Sequence, residues 1–164
     1  MIRIIKVVLM FSIAAWGVVG GFTNLIDYQG GVGVVALVLS MDLVMETEGM
    51  GPTPAAWRAI TSPVIAHIGF FFIWASKLAT GVLCAISAGR LWMNRAGKQF
   101  NDAKQLGLAG AGVSLFMLFF GFVTMSGTYF ELYRDHEIGY STHVIALVYF
   151  GMIGISSLLI AQDD

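Results

Sequence analysis

The sequence is poor in charged residues and in cysteine, and each shortage excludes a class of protein. Lys, Arg, Asp and Glu make up 12% of the 164 residues, whereas a soluble domain carries about 25%, so this chain has too little charge for a water-facing surface. Its single cysteine, Cys84, excludes an internal disulfide framework and a cysteine-rich zinc motif. A net charge of −1 argues against nucleic-acid binding, which requires a basic surface.

Long apolar segments replace the missing charge. Four of them are near or above the roughly 20 residues that a helix needs to cross a hydrocarbon core: 7–22, 63–88, 106–125 and 143–161. A basic start before an apolar stretch also fits a signal peptide, but we expect the first segment to be a membrane helix. We predict an all-α membrane protein, a four-transmembrane-helix bundle in one domain over residues 1–164, with helices at about 4–24, 63–90, 105–126 and 142–161.

Basic residues are distributed unevenly between these segments. Six of the eight that lie outside them precede the first segment or separate the second from the third: Arg3, Lys6, Arg90, Arg95, Lys98 and Lys104. The other two connections hold one basic residue each. Together they hold seven acidic residues: Asp27, Asp42, Glu46, Glu48, Glu131, Asp135 and Glu137. Since basic loops stay in the cytoplasm, we expect a multi-pass protein of the bacterial inner membrane with both termini cytoplasmic.

The first outer connection, residues 25–62, contains an apolar run that is too short to span. This run covers residues 31–41, and a stretch of that length is more typical of an interfacial or re-entrant helix. We therefore predict a short helix at about 31–41 in this connection.

One basic residue, Lys77, lies inside the second apolar segment. At a rise of about 1.5 Å per residue it lies about 21 Å beyond Pro63, near mid-membrane, where a lysine costs at least about 2.5 kcal/mol. It could serve a proton relay, an anionic ligand or a contact with another subunit, or it could simply snorkel to water. No predicted spanning helix contains a carboxylate, so the partners within the chain would be backbone carbonyls, Ser12, Ser114, Tyr149, or Asp42 at the end of the short helix. Arg58 is a further polar contact candidate in the same connection.

Small residues at helical spacing predict where helices approach each other closely. They occur in the first three segments: Gly17 and Gly21; Gly81, Ala85 and Gly89; Gly107 and Ala111. Lipid gives no hydrophobic drive for helix association, so close backbone packing contributes instead. Some of these stripes would close the bundle, and others could meet another protein.

Two histidines, His67 and His143, lie near the same end of different predicted helices. Paired histidines in a four-helix bundle can ligate haem, but capping or interfacial hydrogen bonding is the commoner role. The sequence contains no metal-site spacing and no nucleophile, phosphate-loop or dinucleotide motif. We therefore expect no enzyme activity, no metal and no cofactor, with haem or quinone as the alternative.

Several stretches in chain order resemble a known family: residues 38–42 (VLSMD), 57–63 (WRAITSP), 89–92 (GRLW), 100–104 (FNDAK) and 121–122 (GF). They are similar to DUF2165, a family of small bacterial integral membrane proteins. The resemblance implies a four-helix membrane protein and implies no activity. The chain departs from the family pattern at Lys77, where members commonly carry an acidic residue.

Three functions fit these features. The first is an accessory or structural subunit packed against a larger membrane complex of respiratory or photosynthetic type, with lipids and other membrane subunits as partners. The second is an oligomeric small transporter or channel that uses Lys77. The third is a haem- or quinone-binding redox subunit that uses His67 and His143.

Overall fold

A computed structural model describes residues 1–47, 51–136 and 138–163; Glu48, Glu137 and Asp164 lie outside the described residues. Five helices follow in order: α1 (Ile2–Ile26), α2 (Tyr28–Ser40), α3 (Pro63–Met93), α4 (Phe100–Phe116, continued as a π-helix over Met117–Tyr129) and α5 (Ile138–Ala161). All except α2 are long and apolar enough to cross a membrane. The predicted all-α fold, with four spanning helices and one short apolar helix, is confirmed.

The helices are longer than their apolar segments. α4 begins at Phe100 rather than near 105, and α5 begins at Ile138 rather than near 142. The short helix begins at Tyr28, three residues before the predicted start. Composition marks where a helix leaves the hydrocarbon, but the backbone continues to satisfy its own hydrogen bonds beyond that point, so polar residues such as Asp102 are included.

The short connections complete the chain. Asp27 alone separates α1 from α2, and its side chain accepts a hydrogen bond from the Gly30 amide (3.2 Å), which caps α2. Two-residue strands, Glu46–Thr47 and Gly51–Pro52, pair antiparallel beyond α2. Single 3₁₀ turns follow at Ala56–Arg58 and Leu132–Arg134.

α3 is the central helix of the bundle. It packs against α1 on one side and α4 on the other, while α5 packs against α4, its π-helical continuation and α1, and so closes the bundle. The shared interior is filled by side chains with no exposed surface, among them Met10, Cys84, Leu91 and Ile160. α2 packs only on the first part of α3, where Gly31 lies against Phe70 and Val35 approaches Gly69.

α1 and α3 approach each other to backbone contact. A Cβ on Gly17 would lie 2.6 Å from the Gly81 amide nitrogen, and a Cβ on Gly81 would lie 2.5 Å from the Val18 amide nitrogen. Gly21 lies against Leu78 in the same interface. The rest of the α3 stripe does not join it: Ala85 is exposed, and a Cβ on Gly89 would meet nothing within 4 Å. Residues four apart drift around a helix, so the stripe rotates away from α1.

α3 and α4 are joined by three side chains that donate to backbone carbonyls. The bonds are Thr80 Oγ1 to Gly110 O (2.9 Å), Cys84 Sγ to Gly107 O (3.3 Å) and Ser87 Oγ to Ala103 O (2.6 Å). All three donors are fully buried. Gly107 has no room for a Cβ because Ser87 Oγ would lie 2.6 Å away, and Ala111 is 1% exposed. We call this series of donors the donor ladder: Thr80, Cys84 and Ser87.

Two buried lysines hold the end of the bundle that carries both chain termini, which we call the basic end. Lys6 and Lys104 are 2% and 3% exposed, and both ammonium groups donate to the backbone carbonyl of Gln162, just after α5. The last carbonyls of a helix lack intrahelical donors and carry partial negative charge. Arg3 likewise donates to the carbonyl of Arg95 (3.1 Å). Residues that the sequence marks as orientation signals thus also join α1, α4 and α5.

We expect Gly81→Ala to lower the free energy of unfolding by about 1–3 kcal/mol, because the added methyl group would overpack the contact with α1. Gly89→Ala, on the same helix with open space around it, should leave stability unchanged or raise it slightly. Unfolding by SDS titration of detergent-solubilised protein, followed by circular dichroism, would measure both. Equal effects of the two substitutions would contradict the close contact.

We expect Lys6→Met and Lys104→Met each to destabilise the protein by about 1–3 kcal/mol, because each removes a buried, charged donor from the Gln162 carbonyl. Since both lysines donate to Gln162, the double variant should lose less than the two single losses combined. Lys98→Met, at an exposed position of the same end, is the matched control and should change little. The same unfolding titration applies, and simple additivity would argue against a shared acceptor.

Candidate functional site

Lys77 lies at the middle of the longest helix. α3 has 31 residues, and Lys77 lies about 21 Å along the axis from Pro63. Its side chain is half-buried at the α1 side of the helix, next to the close contact between Gly17 and Gly81. Lys77 is thus close to the midpoint of α3.

An aromatic ring and a glycine surround the Lys77 side chain. The ammonium nitrogen lies 5.8 Å from the centroid of the Trp16 ring, at the outer limit of a cation–π contact. Trp16 in turn packs on Tyr149 of α5, with ring centroids 5.6 Å apart. Gly20, one turn after Trp16, faces the lysine: a Cβ there would lie 3.5 Å from Lys77 Cδ and 3.8 Å from Nζ, which is ordinary van der Waals contact.

Two of the three hydroxyl groups proposed as Lys77 partners bond elsewhere. Ser12 donates to Val8 on its own helix, and Ser114 donates to Ala111 (2.8 Å) while fully buried. Tyr149 reaches the lysine only through the Trp16 ring. Within the part of the chain that the structure describes, no carboxylate oxygen lies within 4.0 Å of the ammonium nitrogen.

Asp42 is not brought to Lys77. Its carboxylate accepts a hydrogen bond from Ser40 Oγ (2.6 Å) and lies beside Pro63 at the start of α3. That position is about 21 Å from Lys77 along the helix axis, well beyond the reach of a lysine side chain. The short helix packs beside the beginning of α3 instead of dipping to its middle.

Arg58 ties the first connection to the end of α4. Its Nη1 donates to the Tyr129 carbonyl (2.9 Å), and its guanidinium lies 5.0 Å from the Tyr129 ring centroid and 5.4 Å from that of Trp57. Nearby, Thr53 Oγ1 donates to Glu131 (2.6 Å) across the same two connections. This end of the bundle, opposite the basic end, is called the acidic end. Arg58 holds its connections together there, far from Lys77.

The two histidines have separate surroundings. His67 is exposed, and its Nδ1 lies 3.1 Å from the Tyr28 hydroxyl with the two rings stacked. His143 packs on Gly127, where a Cβ would meet its Cε1 at 2.5 Å. Their helices have different neighbours: α3 packs mainly on α1 and α4, and α5 packs on α4, its π-helical continuation and α1. Among the described residues, no group of three His, Cys, Asp or Glu side chains could hold a metal ion.

Trp16 and Gly20 were not predicted as site residues. Each is ordinary within an apolar helix, and nothing in α1 alone indicates that a cation faces them. The register of α1 on α3, which the Gly17–Gly81 contact fixes, brings them to Lys77. The only sequence signal is their spacing: they stand one turn apart, on the same helix face.

We expect Lys77→Met to stabilise the isolated protein, because it removes a cation that costs at least about 2.5 kcal/mol at this depth and has only an aromatic ring beside it. SDS unfolding of the purified chain would measure the gain, with Lys98→Met as the matched control. A destabilisation of about 3–5 kcal/mol, typical of breaking a buried ion pair, would instead reveal an anionic partner within the chain.

The sequence was compared with protein families, curated proteins and solved structures. The family described as predicted small integral membrane protein, DUF2165, matches residues 2–161. No curated protein and no solved structure matches significantly. The match covers all four spanning helices and the short helix between the first two. The resemblance found in the motifs is thereby confirmed, and the chain belongs to the DUF2165 family of small integral membrane proteins.

Proposed function

We propose that this protein is an accessory or structural subunit that packs against a larger membrane complex, of the respiratory or photosynthetic type, and has no catalysis of its own. One observation carries the proposal: Lys77 lies at mid-span, half-buried, with no carboxylate within 4.0 Å among the described residues. Ionisable residues at this depth generally pair with one another or line a wet cavity.

The surroundings of Lys77 indicate the chemistry of the partner. Its ammonium group lies beside Trp16 at the edge of the α1–α3 contact, and the neighbouring Val19 is 65% exposed. A transmembrane helix with Asp or Glu at mid-depth could lie on this surface and pair with the lysine. Because Gly20 has no side chain, that helix could approach α1 closely at this position.

The alternative of a transporter or channel requires several copies of the chain. The interior of one bundle is filled at Met10, Thr80, Cys84 and Ser114, all without exposed surface. A polar pathway would therefore run between subunits, and the half-buried position of Lys77 at the bundle surface would allow it to line such a path.

The redox alternative depends on His143 and His67. The Nδ1 atom of His143 is buried without a hydrogen-bond partner among the described residues. A ring nitrogen in this condition could bind a haem iron. A visible absorbance spectrum of the purified protein tests this. We expect no Soret band, and a band that disappears in His143→Ala would favour the haem function over the structural one.

We further propose that the basic end faces the cytoplasm of a bacterial inner membrane, which follows from the positive-inside rule. Single cysteines at Lys98 and at Asp42, each in a Cys84→Ser background, would report the two sides. A membrane-impermeant maleimide added to intact spheroplasts should label the Asp42→Cys protein and leave the Lys98→Cys protein unlabelled. The reverse pattern would overturn this orientation.

Co-purification tests the subunit proposal. The protein would be isolated in mild detergent from its native membrane, and co-purifying chains would be identified by mass spectrometry. We expect a stable membrane complex with the wild-type chain and Lys98→Met, and at least about tenfold less of it with Lys77→Met, which corresponds to a loss of about 1.4 kcal/mol. Isolation as a lone homo-oligomer would contradict the accessory role, and unchanged recovery with Lys77→Met would show that Lys77 is not the contact.

A further inference from the structure

A groove of about 390 Å³ lies between α2 and the beginning of α3, at the acidic end of the bundle. Its lining changes along its length. Val32, Ala36 and Ala66 make the inner part apolar, whereas Ser40, Asp42 and Thr61 surround the outer part. This gradient from apolar to polar matches the profile of a membrane interface, where acyl chains give way to headgroups.

Asp42 carries the charge of this groove. Its carboxylate is exposed and accepts one hydrogen bond, from Ser40 Oγ at 2.6 Å. Over the described ranges, no basic side chain lies within 4.0 Å of it. An anionic group with remaining acceptor capacity, placed at the mouth of an apolar groove, is complementary to a cation attached to a hydrophobic body.

The apolar part of the groove has unfilled room. A Cβ built on Gly33 would meet nothing within 4 Å, although this glycine lies between Val32 and Ala36 on the groove face of α2. The groove is within the size range of small-molecule sites. Its lining runs from Thr61, before α3, through the first turn of that helix to Ala66.

We propose that this groove binds a phospholipid whose headgroup carries a primary ammonium, with the ammonium on Asp42 and an acyl chain beside Gly33. N–H donors to a carboxylate give a charge-assisted hydrogen bond, which a quaternary ammonium headgroup cannot form. Thr61, which lines the same groove, offers a hydroxyl donor for the lipid phosphate. A lipid with an anionic headgroup would instead bring like charge to Asp42.

Native mass spectrometry of the full chain tests the proposal. The detergent-solubilised protein would be offered equal amounts of phosphatidylethanolamine, phosphatidylcholine and phosphatidylglycerol with identical acyl chains. Asp42→Asn removes the charge while keeping an acceptor for Ser40, and Gly33→Leu fills the groove. Gly112→Leu is the matched control, because Gly112 on α4 also has open space around it. Thermal melting would check that each variant is folded.

We expect the wild type and Gly112→Leu to retain one phosphatidylethanolamine at least about tenfold more than either other lipid. Asp42→Asn should reduce that preference to about threefold or less, and Gly33→Leu should abolish the retained lipid. Equal retention of all three lipids by the wild type would overturn the proposal without any variant. An unchanged preference in Asp42→Asn would do the same, and equal retention of phosphatidylcholine would overturn the requirement for N–H donors.

Discussion

The backbone contact between α1 and α3 at Gly17 and Gly81 is the constraint on which the rest of the structure depends. Lipid surrounds these helices with material as apolar as their own side chains, so burial of apolar surface does not hold them together. Close packing and hydrogen bonds must do so. α3 packs closely on α1, and it is joined to α4 by the hydrogen bonds of the donor ladder.

This arrangement of α3 also fixes both proposed sites. The register of α1 on α3 places Trp16 and Gly20 beside Lys77, near the midpoint of α3. Because only Asp27 separates α1 from α2, the same register determines where α2 meets the start of α3 and forms the groove at Asp42. A subunit contact at mid-depth and a lipid contact at the acidic end can therefore coexist, since about 21 Å of helix separates them.

The sequence predicts the parts of this structure that depend on length and composition. Four spanning helices and a short fifth one follow from apolar runs, and Lys77 stands out because charge is rare there. The sequence does not predict which residues of different helices contact each other. Ser87 in an apolar run carries no sign that its acceptor is Ala103 on the next helix. The small residue Gly81 meets α1 whereas Gly89 meets nothing, and only the register of two helices distinguishes them. Asp42 was one of several candidate partners of Lys77, and the structure keeps the two apart, because the depth of α2 depends on tertiary contacts that composition does not encode.

The bonds from Lys6 and Lys104 to Gln162 impose an order on biogenesis. The three residues come from the start, the middle and the end of the chain, and Gln162 follows α5, so the ribosome makes it after the other two. These hydrogen bonds can form only after α5 has been inserted, when Lys6, Lys104 and Gln162 all lie on the same side of the bilayer. The contacts of the basic end are therefore complete only after the whole chain has been inserted, because they join its first, fourth and last described helices.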